Sequence, residues 1–270
     1  MYTQKEVAQN YVNIAQAKTS QKWYKMLVLA VFAGAFIALA GFTATVAGSA
    51  YDGIQSVLIK AAVFPVGLIL VTLTASELFT GNCILLAPVL SKDVKITSML
   101  KNLGIVYLGN LLGSVIIALL AVYCGAMNAS IANATIQCAS TKCNANFLEA
   151  FLRAIPCNIL VCLAVWTSMS SKSASGKILA VYMPIFAFVV CGFEHSVANM
   201  YYLTAGLLAS AKTGVAAAGL TVGKSLLYCL LPTTLGNIIG GMVFVALPLW
   251  LVHFKKERPI KQEKEIKDEN

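Results

Sequence analysis

The sequence predicts an all-α membrane protein: six transmembrane helices in two inverted three-helix repeats, with the second and fifth helices broken. Three observations carry the prediction. Hydrophobic residues make up 59% of the 270-residue chain and charged residues 11%, against roughly 25% charged in a soluble domain, so lipid is the solvent for most of it. Apolar stretches recur at 27–47, 61–90, 103–123, 147–168, 178–209 and 228–252. The second half also restates the first. "GNLLGSVIIALL" from Gly109 returns as "GNIIGGMVFVAL" from Gly236, 127 residues on, and "ELFTGNC" from Glu77 returns as "EHSVANM" from Glu194, 117 residues on.

Residues 1–26 read as an amphipathic helix at the cytoplasmic interface, near the mouth of whatever the spans enclose. Thr3-x-x-Glu6 is a capping box, and Val7, Tyr11 and Ile14 share a face at i, i+4, i+7. These residues lack the apolar core of a signal peptide, so the span beginning at Leu27 is expected to stay in the mature protein. The channel domain is placed at 27–252, its repeats at about 27–125 and 147–252. Four stretches reach the roughly 20 apolar residues that cross a bilayer uninterrupted. In the second span, Ala61 to Ala75 covers only about 22 Å. In the fifth, Ile178 to Cys191 is followed by "GFEHSVAN" and then Met200 to Ala209. Each is read as a half-helix, a non-helical link and a second half-helix, and irregular backbone at membrane depth must be buried in protein or line a cavity. Three spans per repeat is an odd number, so the copies are inverted about an axis in the membrane plane. Gly109/Gly113 and Gly236/Gly240 are read as close helix packing. The segment 253–270, with "KKERPIKQEKEIKDEN" from Lys255, is a charged cytoplasmic tail, expected to be disordered.

The net charge of +9 is mostly topology. With the N-terminus inside, fifteen basic residues fall on inner segments and five on outer ones, which places both termini in the cytoplasm of a multi-pass cell-membrane protein. Basic residues scattered over loops give no support to nucleic-acid binding. Six of the eight cysteines lie in or beside spans as small hydrophobes. Cys138 and Cys143, in the outer loop, are candidates for a disulfide. No spacing suggests a zinc site, and no cofactor is expected.

The two links carry the chemistry. His195 is the only histidine inside a span, and an ionisable group there is a functional candidate. Thr80, in the first link, is placed to present its hydroxyl opposite. Glu77 and Glu194 are expected to accept hydrogen bonds from freed backbone amides, and Asn82 and Asn199 to hold broken-helix carbonyls. A half-helix starting at the waist points partly positive amides at the centre, which favours small anions.

In order along the chain, "ELFTGN" at 77–82, "NLLGS" at 110–114, "CNILVCLAVW" at 157–166, "GFEHSVANM" at 192–200 and "GNIIGG" at 236–241 together resemble the formate/nitrite transporter family of pentameric, aquaporin-like anion channels, over Lys18 to Val252. The resemblance implies that His195 is the central pore histidine and Thr80 the threonine facing it. It places apolar constrictions at Phe64, Leu68, Leu78 and Phe188, an electropositive centre at Lys142, and Asn158 near the pore. It also implies a homopentamer with one pore per protomer. "ELFTG" departs from the formate-type "DLFTS", and the "TGNCILLAPV" continuation is most similar to the hydrosulfide branch.

The expected activity is passive permeation of small monovalent anions, hydrosulfide preferred, with formate and nitrite as further permeants and a formate or nitrite channel of the same family as the alternative. A bare charge in a dry apolar ring costs ~20 kcal/mol in the Born limit, so His195 must either lend a proton or donate a hydrogen bond. A water or glycerol channel would show paired Asn-Pro-Ala motifs, absent here. An enzyme would need a convergent acid, base or metal set, and a single histidine with two separated glutamates does not supply one.

Overall fold

A computed structural model describes residues 1–254, and all regular structure among them is helical. From residue 255 onward, the tail expected over 253–270 lies outside the described residues. The helices are α1 (Gln4–Ser20), α2 (Trp23–Gly48), α3 (Gly53–Leu73), α4 (Gly81–Leu90), α5 (Ile96–Tyr123), α6 (Ala129–Asn144), α7 (Phe147–Ser168), α8 (Ala174–Val190), α9 (Ser196–Thr213) and α10 (Val222–Phe254). Five of them, α2, α3, α5, α7 and α10, are each long and apolar enough to cross a membrane. The breaks fall between α3 and α4 and between α8 and α9.

The first break differs from expectation. α3 begins at Gly53, eight residues before Ala61, and carries its helical axis past Pro65, so its 21 residues can cross alone. The interruption stands, but shortness is not its signature there. The hydroxyl of Ser56 on α3 donates to Gly48 O at 2.8 Å, which ties the first turns of α3 to the end of α2. α8, with 17 residues, is short, as expected.

Glycines set the packing within each repeat. Gly109 and Gly113 bring α5 onto Ala30 and Val31 of α2, and Gly236 and Gly240 bring α10 onto Phe151, Ala154 and Ile155 of α7. A Cβ at Gly113 or Gly240 would overlap the backbone oxygen of Val31 or Ile155. These contacts lie inside the protein, while Phe32, Leu108, Leu112 and Ile116 face outward.

α1 has the predicted capping box: Thr3 Oγ1 accepts from Glu6 N–H, and Glu6 accepts from Thr3 N–H. Its apolar face, however, does not lie on lipid. Val7, Ala8, Tyr11 and Ala15 are buried against the bundle, whereas Ile14 is 38% exposed. The Tyr11 ring meets Trp166 edge-on at 6.1 Å and Phe254 at 6.4 Å. Trp166 Nε1 donates to Gln4 Oε1 at 2.9 Å, and Tyr2 N–H donates to Ser170 O at 2.8 Å. α1 is therefore strapped across the end of the bundle. Cys138 and Cys143 are free thiols. Five positions apart on one helix they point about 140° away from each other, which separates them; Cys143 instead meets Ser225 Oγ at 3.3 Å.

Candidate functional site

The two breaks are built alike. α3 ends with Ser76 N–H donating to Val71 O at 3.0 Å, and α8 with Phe193 N–H donating to Phe188 O at 3.1 Å, the six-to-one bond of a Schellman cap. That cap needs one left-handed residue. Gly192 supplies it at φ 65°, and in the first break Ala75 adopts φ 53°, a conformation strained for a residue with a Cβ.

Beyond the cap each chain is non-helical for three residues, 76–78 and 193–195, and is braced by one buried asparagine. Asn110 Oδ1 accepts from Phe79 N–H at 2.9 Å, and its Nδ2 donates to Ala30 O and Glu77 O at 2.8 and 2.9 Å. Asn237 repeats this: Oδ1 accepts from Ser196 N–H at 2.8 Å, and Nδ2 donates to Ala154 O and Glu194 O at 2.8 and 3.0 Å. These braces perform the task expected of Glu77, Glu194, Asn82 and Asn199. A planar amide carries both a donor and an acceptor, so it satisfies broken backbone of both kinds, whereas a carboxylate can only accept. Asn110 and Asn237 were legible as the repeated Gly-Asn pair of "GNLLG" and "GNIIG". At the start of α9 two of the terminal amides are occupied by side chains, Ser196 N–H by Asn237 Oδ1 and Ala198 N–H by His195 Nδ1 at 3.1 Å.

The glutamates are left for lysines. Glu77 Oε2 accepts from Lys18 Nζ at 3.1 Å and from Asn82 Nδ2 at 2.6 Å, and Lys18 also donates to Asn82 Oδ1 at 3.0 Å. Glu194 accepts from Lys142 Nζ at 2.9 and 2.7 Å and from Asn199 Nδ2 at 2.7 Å. Lys18, the last-turn lysine of α1, is the counterpart of Lys142 on α6. Nothing local in the sequence marks a helix-end lysine as reaching into a bundle, so Lys18 reads there only as one of the inner basic residues.

Three cavities follow one another through the repeat interface. One, of ≈ 260 Å³, is lined by Tyr11, Lys18, Leu68, Leu78, Asn82 and Lys177 among others. A second, of ≈ 160 Å³, is lined by Lys60, Phe64, Lys142, Phe188, Glu194 and His195 among others. Between them lies a neck of ≈ 10 Å³, walled by Phe64, Leu68, Leu78, Phe188 and His195 with Ile37, Val161 and Ile185. Leu68 and Leu78 border the neck and the α1-side cavity; Phe64, Phe188 and His195 border the neck and the α6-side cavity. The neck has room for about one water molecule. The Phe64 and Phe188 rings meet edge-on at 5.7 Å, and Phe188 stacks on His195 at 6.0 Å.

At the neck, Thr80 Oγ1 and His195 Nε2 are 2.9 Å apart, joining the two breaks across 115 positions of sequence. His195 is the N-cap of α9, its Nδ1 occupied as an acceptor. A neutral imidazole that accepts at Nδ1 carries its proton on Nε2. Nε2–H therefore donates to Thr80, which is fully buried and itself lines none of the three cavities. Asn158, fully buried, lines none of the three cavities; its Nδ2 donates to Thr80 O at 3.2 Å and to Asn237 O at 2.6 Å, which holds Thr80 in place.

Known proteins share this architecture. The sequence model described as formate/nitrite transporter matches residues 5–251. The chain is 39% identical to a probable formate transporter of Methanothermobacter thermautotrophicus over 90% of this chain and 94% of that one. It is 33% identical to the formate channel FocA of Escherichia coli, over 88% and 90%. Among solved structures, an FNT family ion channel superposes with a TM-score of 0.81 at 31% identity, covering 92% of this chain and 97% of that one. A pentameric formate channel with formate bound gives 0.74 at 33%, covering 86% and 98%. Two repeats meeting at one histidine–threonine contact, and a match along nearly the whole length, lead to one conclusion: the chain belongs to the formate/nitrite transporter family, whose members are channels and transporters rather than enzymes.

Proposed function

We propose that the protein is a homopentameric channel of the cell membrane for passive permeation of small monovalent anions, formate foremost, with nitrite and hydrosulfide passing the same neck. The observation that carries this reading is the series of two lysine-bearing cavities separated by an apolar neck with a single hydrogen-bonded histidine at its wall. Both termini are cytoplasmic in this reading, on the basic-residue asymmetry, so the Lys18 cavity faces the cytoplasm and the Lys142 cavity faces outward. The pentamer is proposed by likeness to the formate-bound neighbour, a pentameric channel.

Lys18 and Lys142 make each cavity hospitable to an anion, and Phe64, Leu68, Leu78 and Phe188 exclude hydrated ions between them. A bare anion in that dry ring would face a cost of the order of 20 kcal/mol in the Born limit, so the permeant crosses as its neutral conjugate acid or under a strong donor. Protonating His195 at Nδ1 would set two N–H groups against each other at Ala198 and uncap α9. The histidine thus works as a neutral group at the wall of the neck, held there by Thr80 and Ala198, and the proton comes from water in the vestibules. Glu77, Asn82, Glu194 and Asn199 hold the two lysines.

Hydrosulfide preference keeps its own support in "ELFTG" and "TGNCILLAPV". The test is flux into proteoliposomes of hydrosulfide, formate, nitrite, chloride and glycerol, for the native chain and for His195→Ala. Formate moving fastest, with chloride excluded and the histidine variant altered in rate or pH profile, supports the reading. Hydrosulfide moving fastest selects the other branch, and movement of glycerol alone overturns the anion mechanism.

A further inference from the structure

Deepening that reading, and resting on it, we propose that Lys60 and Lys177 are the capture residues of the two vestibules: the charges that draw a dilute anion into the pore, distinct from the ion-paired Lys18 and Lys142. The argument begins in the sequence. Lys177 lies 117 residues after Lys60, the same offset that relates the two breaks, so one position of the repeat unit is lysine in both halves. Each heads the helical stripe that becomes the pore wall. On α3, Lys60, Phe64 and Leu68 fall at i, i+4 and i+8, and on α8, Lys177, Val181 and Ile185 do the same. Phe64, Leu68 and Ile185 wall the neck. An uncharged side chain would continue those apolar stripes outward; each stops instead in a cation at the mouth.

The structure places both where a permeant must pass. Lys60 lines the cavity that holds Lys142 and His195, and Lys177 lines the one that holds Lys18 and Asn82. Both are half-buried, so the stems lie along protein and the ammonium reaches water. The Lys60 stem crosses α2 at Gly48, where an added Cβ would come within 2.7 Å of its Cγ; the glycine makes room for it.

Charge accounting separates the two kinds of lysine. Lys18 and Lys142 each sit against a carboxylate, at 3.1 and 2.7 Å, and present an approaching anion with a nearly neutral pair. Among the described residues, neither Lys60 nor Lys177 has a carboxylate within ion-pair distance. The long-range attraction from each vestibule therefore comes from the unpaired lysine, which steers an anion inward before the paired lysine, with its donors fixed by glutamate, receives it.

The test uses formate flux into proteoliposomes at sub-saturating formate, with ionic strength varied by an impermeant salt. Reconstitution leaves both orientations, so the double variant Lys60→Met/Lys177→Met is measured first. At low ionic strength it is expected to carry about 2–3-fold less flux than the native chain, the attraction of one charge at ~8 Å in water. The deficit should vanish near ~1 M salt, where the screening length falls to ~3 Å. Lys60→Arg/Lys177→Arg should keep both the flux and the salt dependence. Where methionine disturbs assembly, as read by gel filtration, Lys60→Gln/Lys177→Gln replaces it under the same criteria. Native flux at every ionic strength, or a deficit that persists in high salt, overturns the proposal. A native chain that carries no anion overturns the channel reading instead.

Discussion

Replacing Asn237 with alanine tests the claim that one amide holds each broken helix in place. The substitution deletes the acceptor of Ser196 N–H at 2.8 Å and the donor to Ala154 O and Glu194 O at 2.8 and 3.0 Å, at a site with no solvent exposure. Three backbone groups lose their partner where water cannot replace it. A typical net hydrogen bond is worth about 1 kcal/mol, and measured averages inside membrane proteins are nearer ~0.6, so the loss should come to about 2–3 kcal/mol. At roughly 2–4 °C per kcal/mol for a chain of this size, the melting midpoint of the detergent-solubilised protein should fall by about 4–12 °C. Asn110→Ala removes the equivalent bonds to Phe79, Ala30 and Glu77 and should cost a similar amount. A midpoint within about 1 °C of native for either variant would refute the bracing role, since no other side chain is in place to take over the three bonds.

Ala75→Gly relieves the left-handed conformation of the first break and should raise stability by about 1 kcal/mol, read as a higher melting midpoint. Gly240→Ala drives a Cβ into the Ile155 backbone and should lower the midpoint by an amount equivalent to about 1–3 kcal/mol, or abolish assembly on gel filtration. Phe188→Ala removes a ring that walls the neck and contacts both Phe64 and His195; proteoliposomes bearing it should leak glycerol. Hydrogen bonds from the Thr3 backbone and then its hydroxyl hold the Glu6 carboxyl below its usual pKa. The cap's contribution is therefore present above the unfolded carboxylate value and lost as pH falls through the lowered one, so the protection factors of the first-turn amides of α1, with the intrinsic pH dependence of exchange divided out, should be smaller at pH ~3 than at pH ~7.

The repeats were legible because duplication leaves its mark in register: the same Gly-Asn pair at one offset and the same glutamate at another. His195 and Thr80 stood out because polar groups among apolar residues need a reason. What the sequence hid was partnership. A hydrogen bond between Lys18 and a residue 64 positions away has no local signature, and the reach of α3 back to Gly53 was masked by polar residues, Gln55, Ser56 and Lys60, that read as loop. Asn158 carried a pore role by resemblance, yet its amide faces Thr80 O, a distinction that depends on side-chain direction rather than on helix position.

The asparagine braces have a consequence for how the protein can be rearranged. Every bond from Asn110 stays within the first five helices, and those from Asn237 to Ser196, Ala154 and Glu194 within the last five. Each half carries its own leading helix, with α1 supplying Lys18 to Glu77 and α6 supplying Lys142 to Glu194. At the neck the halves are joined by Thr80–His195 and by the bonds of Asn158 and Cys162 to Thr80 O. The chain is thus two self-bracing modules in series, and the order in which they are strung is arbitrary with respect to those braces. The Thr80–His195 contact belongs to neither module, since it takes an atom from each.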